Sequence, residues 1–180
     1  MPVPALAPVS LEMDMKEISL TRGKVALVDD EDYERISLCS WHTLPSSKTC
    51  YAQRSKNLGS KNGNQNITTF SMHRDILGLP QGRFPEVDHK DGNGLNNQKS
   101  NLRVATHTQN MANVRTYPHT SKYRGVSLYR SGNYKRWRSS ISSDGTKHFL
   151  GYFLTEAGAA IVYNAASLEF HGEFGRLNNI

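Results

Sequence analysis

The sequence predicts an α+β protein, with N-terminal β-hairpins, a strand–loop–strand–helix unit, and then a three-stranded antiparallel sheet packed on one helix. Three observations carry that reading. Short β-rich runs bounded by Gly, Asn, Asp and Ser recur along the chain, and towards its end Ala159, Val162, Tyr163, Ala166 and Phe170 fall at helical spacing. A length of 180 residues is long for one domain and short for two ordinary ones, so two small modules with thin cores are expected.

The opening MPVPALAPVSLEMD lacks the basic and long apolar regions of a signal peptide, and residues 1–16 read as a disordered leader. No later run is long and apolar enough to span a bilayer, so a cytoplasmic location without a membrane partner is expected. From Glu17, EISLTRGKVALVD is two β-rich runs around Arg22-Gly23-Lys24, a hairpin pattern, and DDEDYERI is an acid-rich helix start. Trp41 and Tyr51 lie in two further strand-like runs. Ser55 to Asn66, rich in Gly, Asn, Lys and Ser, reads as a loop, and ITTFSMHRDILGL as a strand entering a short helix that stops near Gly78 and Pro80. Cys39 and Cys50 read as a reduced pair; with His42 they still lack a fourth ligand, so no zinc is expected.

Residues 86–115 hold the chemistry. VDH reads as a short strand, KDGNGLNNQKS as turn and spacer, LRVA as a second strand, and Thr106 as the N-cap of a helix through THTQNMANVR. Hydrolysing a phosphodiester needs a general base and a hard cation. His89 has a side chain whose reference pKa of about 6.5 leaves it able to accept a proton near neutrality. Asp88 and the side-chain carbonyl of Asn110 are oxygen donors of the kind Mg²⁺ accepts. Neighbours on a regular strand point to opposite faces, so Asp88 and His89 can share a site only where the strand ends, and Asp91-Gly92 follows at once.

Asp88-His89, Asn101 in SNLR and Asn110 in THTQN, with MHR at Met72 to Arg74 upstream, resemble the HNH endonucleases with a ββα-metal fold, in particular the H-N-N group of phage and intron-encoded homing nucleases. The resemblance implies that His89 is the general base, that Asp88 and Asn110 hold the metal, and that Asn101 braces the long loop to keep His89 oriented. Arg103 is a further candidate for phosphate contact. His73 has a structural or DNA-facing role on this reading. The expected cofactor is Mg²⁺, with Mn²⁺ as a substitute. This module spans residues 17–115, and residues 116–121 (TYPHTS) form a linker.

Residues 122–180 form a second module. YRGVSLYRSGNYKRWRSSISSDGTKHFLGYF reads as three strands with turns at Ser131-Gly132-Asn133 and Ser143-Asp144-Gly145, followed by a helix capped by Thr155 and stopped at Gly172. The whole chain carries a formal charge of +6, and residues 122–147 alone hold seven basic side chains against one acid, Asp144. The positive charge belongs to the sheet, where cations and planar groups suit a DNA groove. YRGV, Trp137, LGYF, the alanine-rich helix and HGEFGRLN resemble the APETALA/ERF DNA-binding domain over about residues 121–179. That resemblance implies DNA contacts at Arg124, Arg136, Arg138 and Lys147, with Trp137 on the same sheet. Ser127 and Tyr129 stand where the plant domains usually carry base-reading arginines, so the plant target sequence is not expected.

Two functions of different class follow. One is a metal-dependent DNA endonuclease of homing type, targeted by the C-terminal module. The other is a sequence-specific DNA-binding transcriptional regulator with an inactive HNH module. Either takes double-stranded DNA as partner, needs no small-molecule cofactor, and is expected to be a monomer.

Overall fold

The computed structural model describes residues 15–61, 64–114, 120–132 and 134–180. The expected leader up to residue 14, the linker up to residue 119 and Asn133 of the first turn lie outside the described residues. The chain is a mixed α/β protein of small antiparallel sheets, and it divides into two compact units that interleave along the sequence. No helix among the described residues is long and apolar enough to cross a membrane.

The first unit takes the described residues of Met1–Ser46, Cys50–Gln81 and Gly94–Ser100. Strands β1 (Met15–Ser19) and β2 (Val25–Asp29) form the expected hairpin around a tight turn in which Arg22 and Gly23 both have φ 63°. Met15 and Lys16, expected in the leader, begin β1 because they pair with Asp29 and Val28. Alternation sends Ala26 and Val28 into the core, both fully buried. Helix α1 (Asp30–Ser37) opens with three acids in its first turn, where the helix dipole favours them, and buries Ile36, whose carbonyl accepts from Trp41 Nε1 at 2.9 Å.

Strands β3 (His42–Pro45), β4 (Cys50–Lys61) and β5 (Asn64–Ser71) form a second antiparallel sheet. The stretch from Ser55 to Asn66, expected as a loop, is therefore mostly hairpin. Ladder partners such as Ser55 with Thr69 and Lys56 with Thr68 pair its backbone, and a bulge at Gly59 (φ 101°) absorbs the irregularity. Its polar composition reflects exposed faces rather than absent structure. Helix α2 (Met72–Ile76) follows, with Met72 fully buried. His73 sits on this helix, its ring edge-on to Tyr51 at 6.0 Å.

Within the expected spacer, Gly94–Ser100 is held against β2. Leu27 donates to Leu95 O and Asn97 donates to Leu27 O, both at 2.8 Å, while the buried Asp29 carboxylate accepts from Lys99 N (2.7 Å) and Gln98 Nε2 (3.2 Å). That segment is a structural part of the first unit.

The second unit holds β6 (Glu86–His89) paired antiparallel with β7 (Leu102–Ala105), helix α3 (His107–Asn113), and the sheet of β8 (Val126–Ser131), β9 (Tyr134–Ser143) and β10 (Thr146–Phe153), with β9 central. Helix α4 (Glu156–His171) starts at the expected cap, Thr155, and covers one face of that sheet. Its alanines carry the close approach. Ala159 and Ala160, both fully buried, meet Tyr123 and Val126, with Trp137 and Phe153 packed alongside; one turn further on, Tyr163 and Ala166 meet Ile141 and Leu150.

Gly125 marks the tightest point of that packing. Its φ is +72°, and an added Cβ would lie 2.1 Å from the Tyr163 ring and 2.7 Å from Ser140 O. Gly125→Ala is therefore expected to cost about 2–4 kcal/mol from backbone strain and overpacking together. Chemical denaturation at neutral pH measures that loss.

Candidate active site

The site is assembled from one strand end and one short helix. Strand β6 places Glu86 and Asp88 on one face by the two-residue period, and helix α3 places Asn110 and Asn113 on one face, three residues apart. The helix phase is set by a capping box. Thr106 Oγ1 accepts from Gln109 N (3.3 Å), and Gln109 Oε1 accepts from Thr106 N (2.8 Å). Two rungs result, Glu86 with Asn110 and Asp88 with Asn113.

In the first rung, Asn110 Nδ2 donates to Glu86 Oε2 at 2.7 Å, and His107 Nδ1 lies 2.9 Å from Glu86 Oε1. A carboxylate only accepts, so Glu86 fixes which end of the Asn110 amide faces it and turns the carbonyl oxygen to the other side. Burial pushes the Glu86 pKa up, but the bonds from Asn110 and His107, with the charges of His107 and Arg83, outweigh it and hold the carboxyl below its ordinary 4.5.

In the second rung, Asp88 is 4% exposed and both of its oxygens accept hydrogen bonds, Oδ2 from Asn113 Nδ2 at 3.2 Å as well as from an arginine. Oδ2 accepts from Arg103 Nε (2.8 Å) and Nη2 (2.7 Å), while Oδ1 accepts from Asn113 Nδ2 (2.9 Å). Arg103 stands opposite Asp88 in the β6–β7 register, so the sheet itself delivers the partner. Removing one member of such a buried pair typically costs roughly 3–5 kcal/mol. Asn113, itself buried, also donates to the carbonyls of His89 (2.8 Å) and Lys90 (3.2 Å).

Those carbonyls mark where β6 stops. His89 is its last residue and is buried, and Gly92 N donates to His89 O at 2.8 Å as the chain turns. Asn101 braces the turn from the far end of the loop. Its Oδ1 accepts from Asp91 N (3.0 Å), its Nδ2 donates to Asp91 Oδ1 (3.1 Å), and its backbone carbonyl accepts from Lys90 N (2.9 Å). The strand end expected at Asp88-His89 is thus gripped on both sides.

The structure brings Asp88, His89, Asn101, Arg103 and Asn110 into one unit, whereas His73 belongs to the other. Asn110 reaches Glu86, and it is Asn113 that reaches Asp88. Glu86 and Asn113 were missed in the sequence, although the strand and helix periods, counted from Asp88 and Asn110, point to both. The carboxylates of Glu86 and Asp88 and the side-chain carbonyls of Asn110 and Asn113 are each oxygen donors of the type hard divalent cations accept, so the chemistry of the residues present fits such an ion.

On the C-terminal sheet, alternation puts Tyr129, Arg136, Arg138, Phe149 and Tyr152 on the face away from α4, while Trp137 packs into the core under it. Tyr152 lies between Tyr129, tilted to it at 4.9 Å, and Phe149, edge-on to it at 5.0 Å, and the Arg138 guanidinium lies 5.5 Å from the Phe149 ring. Lys147 is exposed opposite Ser142 on the same face. Arg124 is engaged elsewhere. Its Nη1 donates to Val114 O (2.8 Å) and its Nη2 to Met111 O (3.4 Å), closing the carbonyl end of α3.

The site is thus a strand ending on Asp-His, a second strand, and a helix presenting asparagines to them. The HNH endonuclease family model matches residues 72–112, which contain both strands and nearly all of α3. The chain is 40% identical over 115 residues to an uncharacterized HNH endonuclease of Acanthamoeba polyphaga mimivirus, covering 62% of this chain and 58% of that protein. It is 35% identical over 100 residues to Protein 3.8 of Escherichia phage T7, covering 54% of this chain and 78% of the phage protein. No solved structure matches. Residues 72–112 thus carry an HNH endonuclease domain, and the chain spans little more than half the length of the mimivirus relative that shares it.

Because the folded protein keeps Glu86 ionised more readily than the unfolded chain does, its rung contributes stability above pH 4.5 that is lost as pH falls through the lower folded value. Glu86→Gln is expected to be less stable than wild type at neutral pH and to lose less on acidification. Urea denaturation at neutral pH and at about pH 3 measures both limbs.

Proposed function

We propose that this chain is a divalent-metal-dependent DNA endonuclease of homing type that hydrolyses phosphodiester bonds, with an APETALA/ERF-like C-terminal module that docks it on double-stranded DNA. The observation that carries the reading is the pair of rungs beside a braced strand end, which sets oxygen ligands next to a histidine. His89 is the general base. It takes a proton from water as the oxygen attacks phosphorus in line, the bond to O3′ breaks, and the products carry 5′-phosphate and 3′-hydroxyl ends.

Asp88 and Asn110 would hold the metal, Mg²⁺ or in its place Mn²⁺, which when bound supplies a positive charge for the phosphate and the leaving oxygen. Glu86 orients Asn110, Asn113 and Arg103 orient Asp88, and Asn101 holds the turn after His89. Each is an acceptor or donor already satisfied within the protein, so little reorganisation is needed when substrate arrives.

The outer face of the C-terminal sheet supports docking. It carries Arg136, Arg138 and Lys147 around the rings of Tyr129, Tyr152 and Phe149. Phosphates and base edges supply acceptors for cations on such a face. Of the residues expected to touch DNA, Arg124 and Trp137 drop out of this proposal because α3 and the core hold them.

Purified protein with Mg²⁺ is expected to cut plasmid DNA and to stop in EDTA, and His89→Ala is expected to lose about 10²- to 10⁴-fold in cleavage rate while binding DNA normally. Cleavage by the His89→Ala variant at the wild-type rate defeats the mechanism, and metal-independent binding with no strand broken under any divalent ion favours the regulator instead. Replacing Arg136, Arg138 and Lys147 by Ala is expected to reduce the slope of log affinity against log salt by about 0.9 for each phosphate no longer neutralised. An unchanged slope moves the docking face elsewhere.

A further inference from the structure

The HGEFGRLN segment, residues 171–178, has no role in the cleavage or docking chemistry proposed for the chain. After Gly172 (φ +54°) the chain makes one tight turn, Gly172–Phe174, and Gly175 then passes so close to α4 that a Cβ there would lie 2.5 Å from Ser167 Oγ and 2.6 Å from Ser167 O. Asn178 fixes the far side. It accepts from Arg124 N (2.7 Å), donates to Arg124 O (3.1 Å), and exchanges hydrogen bonds with Asn164 on α4.

Held at both ends, the middle of the segment lies on the nuclease site. Glu173 O accepts from Arg103 Nη1 at 2.8 Å, and the Phe174 ring lies 3.9 Å from the Arg103 guanidinium carbon. Arg176 N donates to Ala112 O and its Nη1 to Asn113 O, each at 3.4 Å. A guanidinium is planar, so fixing it requires its edges and a face. Asp88 fixes one edge of Arg103, Glu173 another, and Phe174 a face.

We infer that the tail is a clamp in which Glu173 and Phe174 are positioning residues that hold Arg103 on Asp88, making the C-terminal module a structural part of the nuclease site as well as its docking platform. The inference rests on the reading of Asp88 as a metal ligand. An arginine left with the single contact to Asp88 samples more rotamers, and the carboxylate it steadies must then be ordered when the cation binds. Holding it in advance strengthens metal binding without any new ligand.

The test uses full-length protein and three side chains at one position. In wild type the Arg103 Nε–H proton, assigned by its disappearance in Arg103→Lys, is expected to exchange slowly with water. Phe174→Leu keeps the apolar volume and removes the ring, and is expected to speed that exchange at least about tenfold; Phe174→Trp restores the protection. Mn²⁺ affinity in the absence of DNA is expected to weaken about 3- to 10-fold in Phe174→Leu and to recover in Phe174→Trp. Wild-type exchange and Mn²⁺ affinity in Phe174→Leu, or equal losses in the Leu and Trp variants, overturn the clamp. Both readouts are independent of cleavage. A wild-type protein that shows these shifts but never cuts DNA removes the nuclease reading and leaves the clamp, and one that cuts while Phe174→Leu matches it does the reverse.

Discussion

The buried pair of Asp88 and Arg103 organises the second unit. A carboxylate 4% exposed is tolerable only if its oxygens are satisfied, and here each satisfying group is fixed by a different element. Strand register puts Arg103 opposite Asp88. The capping box at Thr106 sets the phase of α3 so that Asn113 arrives at Oδ1. Asn113 in turn holds the carbonyls of His89 and Lys90, where regular strand ends. A shift in the register of β7 or the phase of α3 would leave Asp88 buried and uncompensated, so the cost of misfolding falls on the residues proposed to do the chemistry.

The same logic explains how two sheets of opposite character coexist in one unit. The β6–β7 pair is short, and beside the apolar Leu102 and Ala105 it buries polar groups, Asp88 and His89, with Asn101 just before β7 and Asn113 from the helix. The sheet of β8, β9 and β10 buries an ordinary apolar face under α4 and turns its cations and rings outward. Alternation alone separates these roles along β9, where Trp137 enters the core between Arg136 and Arg138.

Much of this was legible in the sequence because local rules and tertiary packing agree. Thr106 and Thr155 start their helices, the Asp144-Gly145 turn joins β9 to β10 with both residues at positive φ, and Asp-His ends β6 where turn chemistry begins. The failures have physical causes. The hairpin from Ser55 to Asn66 is stabilised by backbone pairing, which side-chain composition does not report. Asn97, 1% exposed, looks like a spacer residue but is hydrogen bonded to β2, a partner some seventy residues away in sequence. Arg124 has the composition of a DNA contact, yet the open carbonyls at the end of α3 claim its donors. The rungs needed a period to be continued from residues already chosen, from Asp88 back to Glu86 and from Asn110 on to Asn113.

Whether the two rungs converge on one cation is decided by anomalous diffraction from crystals grown with Mn²⁺ and a DNA duplex. Convergence gives a peak bonded to the carboxylate of Asp88 and the side-chain carbonyl of Asn110, at the roughly 2.0–2.2 Å expected for a hard cation on oxygen. A peak at the acidic cluster of Asp29, Glu31 and Asp32 with none at Asp88 rules it out.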